Sequence, residues 1–203
     1  MMKKHLKFLF LIPFLFAVVC ESDDFICEIV KTEQYILNVE NINETYSQTD
    51  IIWINSQIGS ILIDSCTESN SPELITDIEI FQDGFFILRL GDFANLNAQV
   101  VDDATIIYDI GSVFNSDSCN DVQFVPELTA DNQFYRYRIG INITVPGDYC
   151  IVNARDSFFN RQNENNDQIF APYDILNNEI RFQDCGNTFV RNNILAHYFF
   201  RVN

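Results

Sequence analysis

The sequence predicts an all-β protein, built as a single antiparallel β-sandwich of about ten short strands. Apolar and polar residues alternate with a period of two over many short segments, and Asn, Asp and Gly separate these segments. The chain has 203 residues, a length that suits one domain with a core of its own. Nineteen Phe and eight Tyr supply the bulk for such a core.

The clearest strand covers residues 134–145. Its predicted core face consists of Tyr135, Tyr137, Ile139, Ile141, Ile143 and Val145. The opposite face carries Arg136, Arg138 and Asn142, so one face is expected in a core and the other in water.

Two hairpins are predicted from turn residues. Pro146-Gly147 is typical of a type II turn, after which residues 148–154 return as the partner of the 134–145 strand. Asp83-Gly84 predicts the turn of a second hairpin over residues 78–90. Short helical turns are expected within 71–78 and around Asn95. Further strands are predicted at 34–40, 50–55, 58–64, 104–110, 122–125, 179–184 and 196–202, with Trp53 in the core.

The stretch Pro-Gly-Asp-Tyr-Cys at 146–150 resembles the tyrosine corner of immunoglobulin domains. In that motif Tyr lies two residues before Cys, so both side chains share a face. Here Tyr149 and Cys150 are adjacent and must point to opposite faces. We therefore expect an immunoglobulin-like or jelly-roll-like sandwich, and not an immunoglobulin domain proper.

The N-terminus has the pattern of a secretory signal peptide. Lys3, Lys4 and Lys7 precede twelve residues, Phe8 to Val19, that are apolar apart from Pro13. At 1.5 Å per residue such a helix spans about 18 Å, which is short of the roughly 30 Å hydrocarbon core of a bilayer. Residues 1–19 are therefore predicted to be a signal peptide and not a transmembrane helix.

The end of this segment resembles the lipobox of bacterial lipoproteins. The apolar run ends at Cys20, and the acidic Glu-Ser-Asp-Asp that follows is similar to the export signal of Bacteroidota surface lipoproteins. Val19 stands where that family favours Gly, Ala or Ser. The resemblance implies acylation of Cys20, a lipidated acidic tether over 20–26 and a globular domain over 27–203. It also implies an outer-membrane location, surface-exposed or else periplasmic.

The charge balance excludes two classes of partner. The leader holds three of the twelve basic residues and none of the twenty-nine acidic ones, so from Cys20 onward nine basic and twenty-nine acidic residues give a formal charge of −20. Nucleic acids and anionic lipid head groups both require a basic surface. We therefore expect neither to bind.

The cysteines are candidates for disulfides, because an exported protein folds in an oxidising compartment. The candidates are Cys27, Cys66, Cys119, Cys150 and Cys185. Five cysteines allow at most two bridges, whereas a free Cys20 would allow three bridges in fifteen connectivities. Zinc is not expected, since no C-x₂-C pair occurs and His197 is the single histidine after the leader.

No catalytic residue is assigned. The sequence lacks the G-x-S-x-G, S-x-x-K, H-E-x-x-H, P-loop and dinucleotide-binding patterns. His197 is interpreted as a partly exposed structural residue of the last strand. A pair of carboxylates, sufficient for glycoside hydrolysis, is the enzymatic route that the sequence leaves open.

Two loops rich in amides and carboxylates are interpreted as ordinary turns and as a candidate partner-binding rim. Their residues are Asn115, Asp117, Asn120 and Asp121 in one, and Asn163, Asn165 and Asp167 in the other. No metal or cofactor is assigned to them. Calcium is the weaker alternative, because the oxygen ligands are suitable but the spacing of an EF-hand is missing.

These observations favour a non-catalytic cell-envelope lipoprotein with a binding or assembly role. Its expected partners are the membrane, through the lipid, and a protein or glycan at the cell surface. One alternative is an accessory glycan-binding lipoprotein that uses exposed aromatic residues. The other is a small hydrolase that depends on two carboxylates.

Overall fold

The computed structural model of the protein describes residues 29–30, 36–64, 72–76, 81–114, 119, 121–154, 158–160, 169, 171–173, 175 and 179–203. These residues form eighteen β-strands, with 3₁₀ turns at Ala171–Tyr173 and Ile194–Ala196. In chain order the strands are β1 (Ile29–Val30), β2 (Ile36–Val39), β3 (Thr45–Tyr46), β4 (Ile52–Gly59), β5 (Ile61–Asp64), β6 (Pro72–Leu74), β7 (Asp83–Phe93), β8 (Leu96–Val100), β9 (Thr105–Ile110), β10 (Ser112–Val113), β11 (Val122–Val125), β12 (Glu127–Leu128), β13 (Phe134–Asn142), β14 (Gly147–Asn153), β15 (Phe158–Phe159), β16 (Ile180–Asp184), β17 (Asn187–Arg191) and β18 (His197–Val202).

Two large sheets form the predicted sandwich, so the all-β prediction is confirmed. The six-stranded sheet has the order β12–β13–β4–β2–β15, with β9 beside β13. The seven-stranded sheet has the order β10–β11–β7–β14–β18–β3, with β8 beside β7. The remaining strands form a three-stranded sheet, β1–β5–β6, and the β16–β17 hairpin. Pairing is antiparallel except that β15 runs parallel to β2 and β3 runs parallel to β18.

The first core lies between the two large sheets, and β13 supplies the centre of one side. This strand pairs with β4 over eight consecutive residues. Its predicted apolar face is confirmed, since the alternate side chains from Tyr135 to Ile143 are at most 3% exposed. The Tyr137 ring meets Phe124 of the opposite sheet, with 4.3 Å between the ring centroids. Alternation along β13 therefore builds the sandwich as expected.

The central strands of the seven-stranded sheet, β7, β14 and β18, are buried on both faces, which the prediction of a two-layer sandwich did not include. The second face of this sheet packs under the β16–β17 hairpin, where the Phe182 ring lies 4.9 Å from Phe86 and 5.4 Å from Phe189. The buried residues of this second core are Phe86, Leu88, Leu90, Ala98, Cys150, Val152, Ile169, Ile175, Ile180, Phe182 and Phe199. Because both faces of these strands are covered, burial along β7, β14 and β18 is nearly continuous and does not alternate. The described chain therefore has three layers.

The hairpin predicted at Asp83-Gly84 is wrong, because these residues begin the eleven-residue strand β7. Asp83 is 2% exposed, and its Oδ2 accepts a 3.0 Å hydrogen bond from the Tyr137 hydroxyl across the sandwich. Gly84 permits a close strand contact, since a Cβ there would lie 2.9 Å from the Val122 carbonyl oxygen. Tertiary hydrogen bonding and packing thus override the turn preference of the pair.

The hairpin predicted around Pro146-Gly147 is also wrong, because its two strands belong to opposite sheets. β13 ends at Asn142 in the six-stranded sheet, and β14 pairs with β7 and β18 in the other. Tyr149 stabilises the crossing, since its hydroxyl donates a 2.8 Å hydrogen bond to the Val145 carbonyl four residues upstream. This is the hydrogen bond of a tyrosine corner, formed although the Tyr–Cys spacing differs from that of immunoglobulin domains.

The predicted helical turns are replaced by β structure in the described residues. Residues 72–74 form β6, and Ala94 and Asn95, with φ of 48° and 87°, connect β7 to β8. Two consecutive positive φ values are typical of a type I′ hairpin turn, and Cys185 and Gly186 repeat this between β16 and β17. The other predicted segments, 34–40, 50–55, 58–64, 104–110, 122–125, 179–184 and 196–202, all contain strands.

Truncation of Phe182 tests the second core. Phe182 is 0% exposed, so we expect Phe182→Ala to lower the free energy of unfolding by about 3–5 kcal/mol, measured by urea denaturation. Val190→Ala in the same hairpin is the matched control, because Val190 is 48% exposed and its truncation should change the free energy by less than about 0.5 kcal/mol. Equal losses in the two variants would contradict the packing of this hairpin on the sheet.

Candidate functional site

Most residues singled out from the sequence lie outside the described part of the chain. These are Cys20, Cys27, Cys66, Asn115, Asp117, Asn120, Asn163, Asn165 and Asp167, and with them the segments 1–19 and 20–26. Asp121 is described, and its Oδ2 accepts a 2.6 Å hydrogen bond from Gln123 Nε2. This is a local contact of the kind that turn residues make.

Cys119 and Cys185 form a disulfide, which confirms two of the candidate cysteines. The bridge joins the segment before β11 to the turn of the β16–β17 hairpin, and so ties the third layer to the sandwich. Asp184 lies beside it, with its ligand atom and both sulfurs within 4.8 Å of one another. Since a thiolate is the metal-binding form of cysteine, the bonded sulfurs are not metal ligands, and the cluster serves as a covalent staple.

Cys150, the third described candidate for a disulfide, carries a free thiol in the second core instead. Burial raises the pKa of this thiol well above its ordinary value. His197 is 0% exposed, so the expectation of a partly exposed histidine is wrong, and burial lowers its pKa to about 4. A protonated thiol and a neutral imidazole inside an apolar layer have the properties of packing residues.

The outer face of the six-stranded sheet carries the chain's single tryptophan. The prediction that Trp53 lies in the core is wrong: Trp53 is half-buried on the outer face, because Ile52 and Ile54 occupy the core-facing positions of β4. Trp53 lies opposite Gly140 on β13. A Cβ at Gly140 would lie 2.8 Å from Trp53 Cζ3, so the glycine provides the space in which the indole lies.

Arg138 stacks on this indole and holds it in place. Its guanidinium carbon is 3.8 Å from the ring centroid, a cation–π contact. Glu40 accepts two hydrogen bonds from the guanidinium, at 2.6 and 2.7 Å, and Asp109 accepts a third at 3.0 Å. The hydrogen bond from Arg138 holds the pKa of Glu40 below its usual value. The indole therefore rests against a guanidinium that three charge-assisted hydrogen bonds fix in position.

The loop at residues 40–44, which connects β2 to β3 beside Trp53, is fixed by hydrogen bonds to two buried tyrosines. The Tyr46 and Tyr198 hydroxyls lie 2.8 Å apart. Tyr46 donates a 2.6 Å hydrogen bond to the Asn41 carbonyl and accepts one of 3.0 Å from the Asn43 backbone N–H, and the Tyr198 hydroxyl lies 3.2 Å from the Asn43 carbonyl oxygen. Burial raises the pKa of both tyrosines, so they remain neutral donors. Because these bonds use backbone groups, both asparagines keep their side chains on the exposed surface.

The turn at residues 47–50 is tied to the sheet in a similar way. The Ser47 N–H donates to Asp50 Oδ2 at 2.7 Å, and the Asp50 N–H donates to the Ser47 carbonyl at 3.0 Å. The side-chain amide of Asn142 on β13 donates to the carbonyls of Gln48 and Asp50, at 3.0 and 2.9 Å. The turn therefore keeps its position relative to Trp53.

These parts line an open groove of about 510 Å³, which we call the Trp53 groove. It is lined by Asn41, Asn43, Tyr46, Thr49, Asp50, Ile51 and Trp53. Its volume falls within the range of roughly 300–1,000 Å³ that is typical of small-ligand sites. Sequence reasoning missed the groove, because Asn and Asp in short connections look like ordinary turns. Their density between residues 41 and 50, directly before a tryptophan, is the signal that could have pointed to it.

Two carboxylates, those of Glu40 and Asp109, converge on Arg138 beside the indole. A glycosidase requires one carboxyl group of raised pKa to act as the general acid. Here the pKa of Glu40 is lowered, and both carboxylates bind one guanidinium. This pair is suited to positioning Arg138.

Known proteins provide no template for the site, since no protein-family model, curated protein or solved structure matches the chain. Within the described residues, no helix is long and apolar enough to cross a membrane. Function is therefore inferred from the chemistry of the Trp53 groove.

Substitution of Gly140 tests how the indole is seated. A methyl group there would lie 2.8 Å from both Ile51 Cγ2 and Trp53 Cζ3, so the indole must move. We expect Gly140→Ala to cost about 1–3 kcal/mol of stability and to shift the emission maximum of the single tryptophan. The control is Arg136→Ala, an exposed change on the same face of β13 that should leave the emission unchanged. An unshifted spectrum in Gly140→Ala would contradict the contact.

His197 predicts a loss of stability in mild acid. The folded protein keeps this imidazole neutral down to about pH 4, whereas the unfolded chain protonates it near pH 6.5. Between these pH values the unfolded state binds more protons, so stability falls as the pH falls, by about 3 kcal/mol in total.

We expect His197→Phe to remove most of this slope between pH 6.5 and 5, measured by urea unfolding across the pH range. Glu40 and Asp148 also have lowered pKa values, and their loss of stabilisation comes at lower pH. Parallel pH profiles for the two proteins would contradict the assignment to His197.

Proposed function

We propose that the protein is a non-catalytic binding domain of the cell envelope, anchored by lipid on Cys20, with the Trp53 groove as its binding site. The observation that carries the binding role is that both walls of the groove are pinned by hydrogen bonds from the sheets. A preformed site binds with less loss of conformational entropy than a mobile one.

A non-catalytic role is supported by the state of the reactive groups in the described residues. The thiol of Cys150 and the imidazole of His197 are 0% exposed. The carboxylates of Glu40 and Asp109 are engaged by Arg138. A nucleophile with an adjacent base, or a carboxyl group of raised pKa, would be needed for hydrolysis. These groups instead favour packing and binding.

The lipid anchor is supported by the sequence alone, through the basic start, the apolar run and Cys20 followed by acidic residues. Multiple acyl chains on Cys20 would give stable membrane attachment, which one chain gives only marginally. The acidic tether would separate the sandwich from the outer membrane and leave the Trp53 groove accessible to a protein or glycan, at the cell surface or in the periplasm.

Cys20→Ala tests the anchor. We expect the wild-type protein to fractionate with membranes and to carry acyl chains on its N-terminal cysteine by mass spectrometry, and the variant to become soluble. Ser22→Ala is the matched control, because it changes the tether but keeps the cysteine, and it should remain in the membrane fraction. An unmodified N-terminus, or a Cys20→Ala protein that stays membrane-bound, would refute the anchor without affecting the binding role.

A further inference from the structure

The side chains that line the Trp53 groove combine polar groups with two aromatic rings, those of the buried Tyr46 and the half-buried Trp53. Asn41, Asn43, Thr49 and Asp50 are exposed along its walls. An amide offers two N–H donors and one acceptor oxygen, a hydroxyl offers both functions, and a carboxylate offers acceptors. A ligand that fills the groove must therefore present many donors and acceptors at short spacing.

The apolar part of the lining is confined to one side, where Ile51 and Trp53 lie next to each other on the outer face of the sheet. A small apolar ligand prefers a pocket that is mainly hydrophobic. A half-buried indole beside a row of polar side chains instead suits a ligand with one C–H face and a rim of polar groups, because the part of the ring that Arg138 leaves exposed contributes an apolar surface.

The charges around the groove disfavour an anionic ligand. Arg138 is the cation next to the indole, and its guanidinium is already bound by Glu40 at 2.6 Å and Asp109 at 3.0 Å. Asp50 adds a carboxylate to the lining, and the chain from Cys20 onward carries a formal charge of −20. Phosphates, sulfates and acidic sugars would meet repulsion, and the described lining of the groove contains no Lys or Arg to compensate for it.

We infer that the Trp53 groove binds a neutral saccharide, with a sugar ring against the part of the indole that Arg138 leaves exposed and its hydroxyl groups on Asn41, Asn43, Thr49 and Asp50. A pyranose has a C–H face and a rim of hydroxyls that both donate and accept hydrogen bonds, which is the pattern that the lining complements. This inference rests on the proposed binding function and names the ligand class of the same site.

The test uses full-length protein purified from membranes in a detergent without a sugar head group. An array of neutral and acidic oligosaccharides is screened first, and each ligand found is titrated against the emission of Trp53, the only tryptophan in the chain. We expect neutral oligosaccharides to bind and to change this emission, and sialylated and sulfated ones not to bind.

Three variants locate the binding. Trp53→Ala should lower the affinity about tenfold or more, as expected for a central aromatic contact. Asn43→Ala removes an exposed amide while the backbone hydrogen bonds of the loop remain. This variant should fold normally, and its affinity for the saccharide should fall about three- to tenfold. Gln57→Ala is the matched control, since Gln57 is exposed on the outer face of the same strand outside the groove lining, and its affinity should be unchanged.

The outcomes separate the ligand class from the proposed function. Neutral saccharide binding that Asn43→Ala leaves intact would overturn this site, even if Trp53→Ala fails to fold. Binding of a peptide or an acidic glycan that depends on Asn43 would overturn the saccharide but keep the groove as a binding site. If no saccharide binds, and if cell-envelope protein fractions do not change the emission of Trp53 either, both the saccharide inference and the binding role of the groove would be overturned.

Discussion

Burial of both faces of the seven-stranded sheet is the constraint on which the rest of the described structure depends. One face meets the six-stranded sheet, and the other is covered by a third layer that the Cys119–Cys185 bridge ties down. Of the two large sheets, the six-stranded one therefore has a face that no other described layer covers. Trp53 and Arg138 lie on this surface, so the candidate site follows from how the layers are stacked.

The buried tyrosines connect this core to the site. A hydroxyl group in a core is costly unless it forms a hydrogen bond, so each ring that fills space must also reach a partner. The Tyr137 hydroxyl donates a hydrogen bond to Asp83 on the other sheet, and the Tyr149 hydroxyl donates one to the Val145 carbonyl where the chain crosses between the sheets. The hydroxyls of Tyr46 and Tyr198 form a hydrogen bond with each other, and both also bond to backbone carbonyls of the groove wall. The same side chains therefore stabilise the sandwich and set the shape of the groove wall.

The buried face of a single strand could be predicted from the alternation of its residues. The pairing of strands and the contacts between them could not. The core face of β13 follows from its own period of two. Ile51 to Ile54 are all apolar, however, so their period cannot decide which face carries Trp53, and Gly140 and Arg138 on the partner strand decide it. Asp83-Gly84 has the composition of a turn, but its partners lie on β11 and β13. The pairing of Cys119 with Cys185 and the groove itself likewise arise from contacts distant in sequence.

If the Trp53 groove binds a neutral ligand as proposed, the carboxylates beside it need local charge compensation. Arg138 provides it, because one guanidinium satisfies Glu40 and Asp109 and still presents its face to the indole. The net negative charge of the chain favours solubility and repels polyanions. Asp50 is the exception in the groove, and its Oδ2 is engaged by the Ser47 N–H. In the proposed site, the charge of the chain would contribute to selectivity by excluding anions, while the amides and the indole would contribute the attraction.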